Sequence, residues 1–342
     1  MSLVNSHTGF QPLEEVWLGD VYPDSYYDNL DPELRDVVLK ISDITRQDLA
    51  KIQQTIESFG VKVCRPVFNS VDDFVDASGN LIKPPITPRD WALALGDHLY
   101  VLPQYESQHE PFREHIQRYG KQATVLNRFA EDTKDQEDWC YMSFPSIVRV
   151  GKDIFIDYYD KERTYRVANN LVSNGYRVHL STTRDHSDAV FAVLKPEQIL
   201  ATHYRQHYNV GFPDWNVIHL KDTTSFNEYN GKWWVDGVDL QHFNNMMTSK
   251  FNSWLGNPAE TVFEVNCLVI DESNVLVIAQ DDEVCRQLEE IGITPHVVDF
   301  KARGFWDGGL HCLTLDIRRT GKCEDYWPHR GPPAIDYDTE YV

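Results

Sequence analysis

The sequence predicts an α/β protein built from five ββαβ units in one domain, and three observations along its 342 residues support this fold class. First, a glycine repeatedly stands between a helical segment and a strand, where a left-handed helix cap is common. Second, pairs of apolar runs flank short polar turns, as in a β-hairpin. Third, the two patterns alternate at a regular spacing, which indicates one structural unit used several times.

Taken in order, the helix–glycine–strand junctions define the second half of each unit. The clearest helix is 32–58, whose apolar side chains recur at helical spacing before the first junction. Each junction is expected to end a helix and to return the chain to a strand of the same unit. The glycines of the five junctions are Gly60, Gly120, Gly175, Gly211 and Gly292.

The hairpins define the first half of each unit. Four of them are predicted around the polar turns 96–97, 151–153, 195–196 and 271–274. The fifth is predicted to join the two ends of the chain, with 15–19 paired to 312–317. Five such units closed by their terminal strands predict a single-domain, five-bladed ββαβ propeller.

Two segments lie outside this repeat. The stretch 222–258 is long and rich in aromatic residues, which is typical of a lid over a functional site. An equally weighted alternative is that 222–258 is an additional segment packed on the surface. The propeller domain is therefore expected over 1–322, and 323–342, rich in Pro, Asp and Tyr, is expected to form a C-terminal surface tail.

Composition excludes several classes of protein. The net charge of −21 argues against nucleic acid or anionic membranes as partners, since these bind basic patches. The six cysteines have neither the spacing of zinc ligands nor the density of a disulfide framework. The sequence begins without a basic and then apolar leader, and no apolar run reaches membrane-spanning length. A cytoplasmic enzyme with reduced thiols is expected.

The segment 308–319 contains the candidate nucleophile. Gly308 and Gly309 form a flexible turn that lets backbone approach a ligand closely, and the alternating residues from Cys312 onward predict a strand behind the thiol. Cys312 is therefore the candidate nucleophile. The alternative is a small buried residue on a core strand, the usual role of a free cysteine. The other five cysteines have ordinary strand, helix or tail contexts: Cys64, Cys140, Cys267, Cys285 and Cys323.

Two further polar stretches precede hairpins at corresponding corners of the repeat. His186 and Asp188 are two residues apart and would share one face of an extended strand. A cysteine needs an electropositive neighbour to be a thiolate at neutral pH, and His186 is the candidate. Asp188 and Asp90 are carboxylates that suit a cationic substrate such as a guanidinium. The alternatives are a surface turn for Asp90 and a common polar strand start for the other pair.

These residues lie in motifs that resemble a known family. The run GGLHCLT at 308–314, followed by DIRR at 316–319, resembles the cysteine signature of arginine:glycine amidinotransferases. The resemblance is patchy between roughly residues 10 and 320. These enzymes belong to the pentein superfamily of guanidine-modifying enzymes, so the resemblance also implies a five-bladed propeller. The other matching stretches are 12–16, 88–90, 149–153, 176–179, 186–189 and 265–272.

The resemblance implies a role for each candidate residue. Cys312 would be the nucleophile and His186 the general acid and base. Asp188 would bind the guanidinium, and Asp90 would line the same pocket. Arg205 would pair with the substrate carboxylate, which an arginine fork can hold with two hydrogen bonds. The family implies no metal and no organic cofactor.

The sequence departs from the family pattern at two places. Ser143 stands where the family has the carboxylate that supports the catalytic histidine, and a serine cannot stabilise an imidazolium by charge. Asp307, shortly before Cys312, is the candidate replacement, and the alternative is that it caps its own turn. Ala259 and Glu260 stand where the family has two serines that help to bind substrate.

The expected activity is transfer of the amidino group of L-arginine to an acceptor amine such as glycine, through a covalent amidino-cysteine. The products would be ornithine and guanidinoacetate. One alternative is a deiminase or dihydrolase, in which water resolves the intermediate. Another is a catalytically degenerate binding propeller, which Ser143 motivates. The expected partners are these small molecules, and a homodimer is left open.

Overall fold

The computed structural model describes residues 2–70, 74–75, 81–127, 134–158, 160–181, 186–202, 208–220, 254, 264–278, 282–306 and 308–337. Arg205 and Asp307 lie outside these residues, as do Ala259, Glu260 and all of the predicted lid 222–258 except Trp254. The described residues form an α/β protein with five small sheets, in agreement with the predicted class.

Four sheets repeat the predicted ββαβ order. In each, an antiparallel hairpin is followed by a helix and by a third strand parallel to the second. The strands of the chain are β1 (Leu13–Leu18), β2 (Lys62–Cys64), β3 (Ala92–Leu95), β4 (His98–Val101), β5 (Ala123–Val125), β6 (Ile147–Val150), β7 (Asp153–Asp157), β8 (Arg177–Ser181), β9 (Phe191–Lys195), β10 (Gln198–Ala201), β11 (Asn216–His219), β12 (Leu268–Asp271), β13 (Asn274–Val277), β14 (Thr294–Val297), β15 (Thr314–Arg319) and β16 (Ile335–Tyr337).

The fifth sheet joins distant parts of the chain, as predicted. Strand β1 pairs antiparallel with β15, with Leu18 opposite Thr314, and pairs in parallel with β2. The predicted strand 312–317 begins too early, because residues Leu310–Leu313 form one helical turn. Cys312 therefore lies just before the strand and not on it.

Among the described residues, the first helix has 27 residues and the next longest, Lys161–Ser173, has 13. Asp31 begins the long helix by accepting a hydrogen bond from the Glu33 amide. Gly60, Gly120 and Gly175 have positive φ, as the predicted caps require, whereas Gly211 ends a helical turn without it. Helices span Pro32–Ser58, Glu106–His109, Arg113–Tyr119, Lys134–Trp139, Lys161–Ser173, Tyr208–Gly211, Asp282–Glu290, Arg303–Trp306 and Leu310–Leu313.

The C-terminal segment packs more deeply than a surface tail. Strand β16 extends the sheet of β6–β8 by pairing in parallel with β8. Trp327 is only 1% exposed and stacks on Trp215, with 4.5 Å between ring centroids. Residues 323–337 therefore contribute both a strand and a core side chain to the fold.

A buried ionic cluster ties several units together, and we call Asp316, Arg89, Arg149 and Arg319 the Asp316 cluster. Arg89 Nη2 donates to Asp316 Oδ1 at 2.8 Å, whereas Arg149 Nη2 and Arg319 Nε donate to Oδ2 at 2.6 and 2.8 Å. Ser6 Oγ also donates to Oδ2, at 3.0 Å. All four charged side chains are at most 4% exposed. The carboxylate of β15 thus joins this strand to three separate parts of the chain, at Ser6, Arg89 and Arg149.

Candidate active site

Cys312 lies in the helical turn Leu310–Leu313, which the Asp316 cluster holds in place. Arg89 Nε donates to the carbonyl oxygens of His311 and Thr314, at 2.8 and 3.1 Å. The backbone on both sides of the thiol is therefore fixed by a guanidinium that is itself anchored to Asp316. Since the turn is buried, these contacts replace the water that would otherwise satisfy its carbonyl groups.

Asn266 holds the thiol directly. Its Oδ1 accepts a hydrogen bond from the Cys312 amide at 3.0 Å, and its Nδ2 lies 3.1 Å from Cys312 Sγ. The same Nδ2 donates to the Asp188 carbonyl at 3.2 Å. A donor aimed at the sulfur favours its charged form. Asn266 lies in the stretch 265–272 that resembles the family, but nothing in the local sequence shows that it faces Cys312.

Gly308 and Gly309 are needed because protein atoms crowd them. A Cβ on Gly308 would lie 2.7 Å from Cys312 Cβ, and a Cβ on Gly309 would lie 2.8 Å from Asn266 Oδ1. Neither distance is tolerable, so only glycine fits at these two positions. The predicted importance of the pair holds, but the contact that requires it is with Cys312 and Asn266 rather than with a ligand.

Gly309→Ala is expected to lower the free energy of unfolding by about 1–3 kcal/mol, because an overpacked site must shift its neighbours. Gly9→Ala is the matched control, since an added Cβ there meets nothing within 4 Å. Urea unfolding of both variants measures the difference. Equal stability of the two variants would show that the Gly309 contact with Asn266 is not tight.

Asp188 lies beside Cys312, but on a turn rather than on the predicted extended strand. Residues Ser187–Ala189 form a 3₁₀ turn, because polar residues before a hairpin can close a turn as readily as start a strand. Asp188 Oδ2 is 2.7 Å from His311 Nδ1 and 3.7 Å from Cys312 Sγ. Asp188 Oδ1 is buried and has no hydrogen-bond partner within the described part of the chain.

The Asp188 carboxyl group stays ionised. Burial by itself would raise its pKa, but the hydrogen bond with His311 and the charges of His186 and Arg89 outweigh burial and lower the pKa from its ordinary value. The side chain is only 4% exposed. A buried charged oxygen without a donor is costly, so Oδ1 is suited to a ligand that brings its own N–H groups.

Asp90 and His186 complete the group of charged residues. Thr87 Oγ1 donates to Asp90 Oδ2 at 2.7 Å, and the Thr87 side chain also borders the space beside Gly308 and Cys312. Burial raises the pKa of Asp90, Asp188 raises it further, and His186 opposes the increase. The structure therefore brings the sequence candidates Cys312, Asp188 and Asp90 together, and His186 is close enough to lower the pKa of both carboxyl groups by its charge.

Ser143 lies near this group, behind the turn that carries His186. Ser146 Oγ donates to Ser143 Oγ at 3.1 Å, and Ser187 Oγ donates to the Ser146 carbonyl, also at 3.1 Å. Two hydrogen bonds thus connect Ser143 to the residue that follows His186. The second candidate for supporting the histidine, Asp307, lies outside the described residues.

A small cavity, lined by apolar side chains and a few charged ones, borders the site. It measures about 40 Å³, and Arg89, Arg149, Asp188 and His311 are among the residues that line it. This volume accommodates a few water molecules.

In the described part of the chain, no group of three or more His, Cys, Asp or Glu residues is arranged to hold a metal ion. Nor does any described helix have the length and apolarity needed to cross a membrane.

Comparison with known proteins identifies the relatives of this chain. No protein-family model matches it. L-arginine:L-lysine amidinotransferase of Pseudomonas savastanoi pv. phaseolicola is 28% identical over 185 residues, which are 52% of this chain and 44% of that protein. Mitochondrial glycine amidinotransferase of Gallus gallus is 26% identical over 195 residues, 53% of this chain and 39% of that protein. The chain is homologous to amidinotransferases. The matches span less than half the length of these curated relatives.

Solved structures agree on the fold. An amidinotransferase of saxitoxin biosynthesis from Microseira wollei has a TM-score of 0.68 at 20% identity and covers 95% of this chain and 99% of its own. Inosamine-phosphate amidinotransferase from Streptomyces griseus has a TM-score of 0.66 at 17% identity, with the same coverage. Dimethylarginine dimethylaminohydrolase from Pseudomonas aeruginosa has a TM-score of 0.53 at 14% identity, and the match covers 89% of this chain and 99% of that one. The chain thus shares its α/β fold, with several small sheets, with these enzymes.

Proposed function

We propose that this protein is an amidinotransferase that takes the amidino group from L-arginine through a covalent amidino-Cys312. The observation that carries the proposal is the Asp188 carboxylate, which is buried and ionised and has one oxygen to which no described residue donates a hydrogen bond. That carboxylate lies 3.7 Å from the Cys312 sulfur. A cation bound to Asp188 would therefore present its carbon atom to a nucleophile.

The first half of the reaction transfers the amidino group to the enzyme. The Cys312 thiolate attacks the guanidino carbon, and the new C–S bond forms as a tetrahedral intermediate. The bond from this carbon to the arginine Nε then breaks, and His186 gives its proton to that nitrogen, which leaves as the side-chain amine of ornithine. Asp188 and Asp90 hold the guanidinium throughout, and the Asn266 amide orients the sulfur.

The second half returns the thiolate. An acceptor amine gives a proton to His186 and attacks the amidino carbon, after which the C–S bond breaks. We propose glycine as the acceptor to test first, and lysine as the second, since the two relatives are named for transfer to these amines. Guanidinoacetate would be the product from glycine.

Arginine labelled with ¹³C in the guanidino carbon tests this function. Incubation with glycine is expected to place the label in guanidinoacetate and to release unlabelled ornithine. Label in urea or citrulline, with or without glycine, would instead identify a hydrolase that uses the same thiol. Unchanged arginine with every acceptor would support the degenerate binding protein and overturn the proposed activity.

Arg205→Leu is expected to raise KM for arginine more than it lowers kcat, because the α-carboxylate is remote from the reacting carbon. Losing one partner of a buried charged pair costs about 2–5 kcal/mol in binding. Agmatine, which lacks this carboxylate, should be affected much less. Steady-state kinetics with both donors measure the separate changes in KM and kcat. An equal increase in KM for arginine and agmatine would contradict this role for Arg205.

We also propose that His186 is supported by a carboxylate elsewhere in the chain and not by Ser143, with Asp307 as the candidate. Asp307→Asn is then expected to reduce turnover by about a hundredfold, since loss of an acid behind a histidine costs orientation and charge. Ser143→Ala should have a much smaller effect. Comparing kcat of the two variants measures the difference, and a larger loss in Ser143→Ala would reverse the assignment.

Finally, we propose that the five ββαβ units surround a common axis as a propeller. Support comes from the N-terminal residues, since Asn5, Ser6 and Thr8 each bridge to a different sheet region, at Arg318, Gly96 and Val150. The Asp316 cluster supports the same arrangement, because its carboxylate meets side chains from separate units.

A further inference from the structure

We propose that His311 is a positioning residue for the guanidinium, which fixes Asp188 through Oδ2 so that Oδ1 is presented to the ligand. The inference rests on the proposed function, since it concerns the same donor site. Neither the candidate residues found in the sequence nor the mechanism above gives His311 a role.

The hydrogen bond between the two residues sets the orientation of the carboxylate. His311 Nδ1 is 2.7 Å from Asp188 Oδ2, and the Cys312 sulfur contacts the same oxygen at the longer distance of 3.7 Å. An ionised carboxylate can only accept, so the proton belongs to Nδ1. With Oδ2 held, rotation of the carboxylate is blocked, and Oδ1 keeps the unpartnered position described above.

His311 also fixes the distance between the guanidinium site and the nucleophile. It precedes Cys312 in the same turn, and its amide donates to the Asn266 carbonyl at 3.1 Å. Asn266 in turn contacts Cys312 Sγ and the Asp188 carbonyl, at 3.1 and 3.2 Å. The four residues therefore form a closed ring of covalent and hydrogen-bond links. Displacing any one of these four residues would change the position of the bound guanidinium relative to the Cys312 sulfur.

An imidazole suits this position because it donates without adding charge. Burial and the nearby Arg89 lower the pKa of His311 from its ordinary value, although Asp188 opposes the decrease. A neutral imidazole leaves the negative charge of Asp188 available to attract a guanidinium. A lysine or arginine in the same place would hold the oxygen but would cancel that charge.

Three substitutions at this position separate the hydrogen bond from the shape of the ring. His311→Phe keeps the ring and removes the donor. His311→Asn places an amide nitrogen near the position of Nδ1, whereas His311→Gln places one near Nε2. The positioning role predicts that only Asn restores binding. Each substitution is made in a Cys312→Ala protein, so that binding is measured without turnover.

Isothermal titration with L-arginine and L-citrulline is the test, because citrulline has the same shape but a neutral ureido group. We expect His311→Phe and His311→Gln to weaken arginine binding at least tenfold and citrulline binding less than threefold. His311→Asn should recover most of the arginine affinity. Thermal unfolding confirms that each variant is folded. If His311→Phe does not fold, the arginine affinities of His311→Gln and His311→Asn provide the same test of the hydrogen bond.

Three results with the His311 variants would overturn the inference. They are unchanged arginine affinity in His311→Phe and His311→Gln, equal losses for arginine and citrulline, and an Asn variant no better than Gln. Absence of arginine binding to Cys312→Ala, with methylguanidine also unbound, would overturn it as well. Failure of transfer with ¹³C-arginine, while the arginine-selective loss persists, would overturn the proposed activity and leave the role of His311 in place.

Discussion

Cys312→Ala is expected to abolish amidino transfer while leaving the protein folded. Removing a nucleophile that acts together with a histidine lowers turnover by about four orders of magnitude or more. The substitution deletes one small buried side-chain atom, so the free energy of unfolding should fall by only about 1 kcal/mol. Turnover of ¹³C-arginine and urea unfolding of the same preparation measure the two effects.

A covalent adduct provides the direct evidence for this thiol. The wild-type protein is incubated with arginine and the reaction is then quenched. Peptide mass spectrometry should find the amidino group on Cys312. Cys64→Ala is the matched control, since Cys64 is also a buried thiol, and burial together with Glu15 raises its pKa from the ordinary value. This control should keep both activity and adduct. Activity in Cys312→Ala, or an adduct on Cys64, would contradict the mechanism.

Asp316→Asn is expected to destabilise the fold by about 3–5 kcal/mol, the cost of removing one partner of a buried ion pair. The variant keeps the shape of the side chain, but Arg89, Arg149 and Arg319 then lose their common counter-charge. Asp28→Asn is the control, because Asp28 pairs with Arg35 at 2.8 Å while 59% exposed. Its loss should cost at most about 1 kcal/mol.

The contribution of Asp316 to the free energy of unfolding should change with pH in one direction only. Burial alone would raise the pKa of Asp316, but the three arginines hold it well below its ordinary value. The stabilisation is therefore complete above the unfolded-state pKa of about 4 and is lost only as pH falls toward the folded-state value. The stability difference between wild type and Asp316→Asn should be constant from neutral pH to about pH 5 and should shrink below about pH 4. A difference that grows on acidification would show that the cluster is not held by charge.

The fold was predictable because its signals are local. Gly60, Gly120 and Gly175 each mark a helix end with positive φ, and the hairpin turns lie within a few residues of the strands they join. Joining the chain ends needed only one further step, since four complete units left one unpaired strand at each end. Local patterns failed at residues 187–189 and 310–313, where hydrogen bonds to distant residues favour a helical turn over a strand.

The site was predictable only in part. Cys312, Asp188 and Asp90 were found from motif and residue type, and the structure places them together. Asn266 and His311 were missed, because their roles depend on contacts with residues 46 and 123 positions away. The Arg89–Asp316 pair spans 227 positions. Neither periodicity nor composition carries information about such pairings.

The pairing of β1 with β15 also constrains the order of folding. Leu18 and Thr314 are opposite each other, and Ser6 reaches Asp316 across 310 positions of the chain. Closing so large a loop before its contacts form is slow compared with forming the hairpins within each unit. Pulse-labelling hydrogen exchange during refolding should therefore protect the amides of β6 and β7 before those of β1. The turn that carries Cys312 would likewise gain its hydrogen bonds from Arg89, which is 222 positions from His311 and 225 from Thr314, only late in folding.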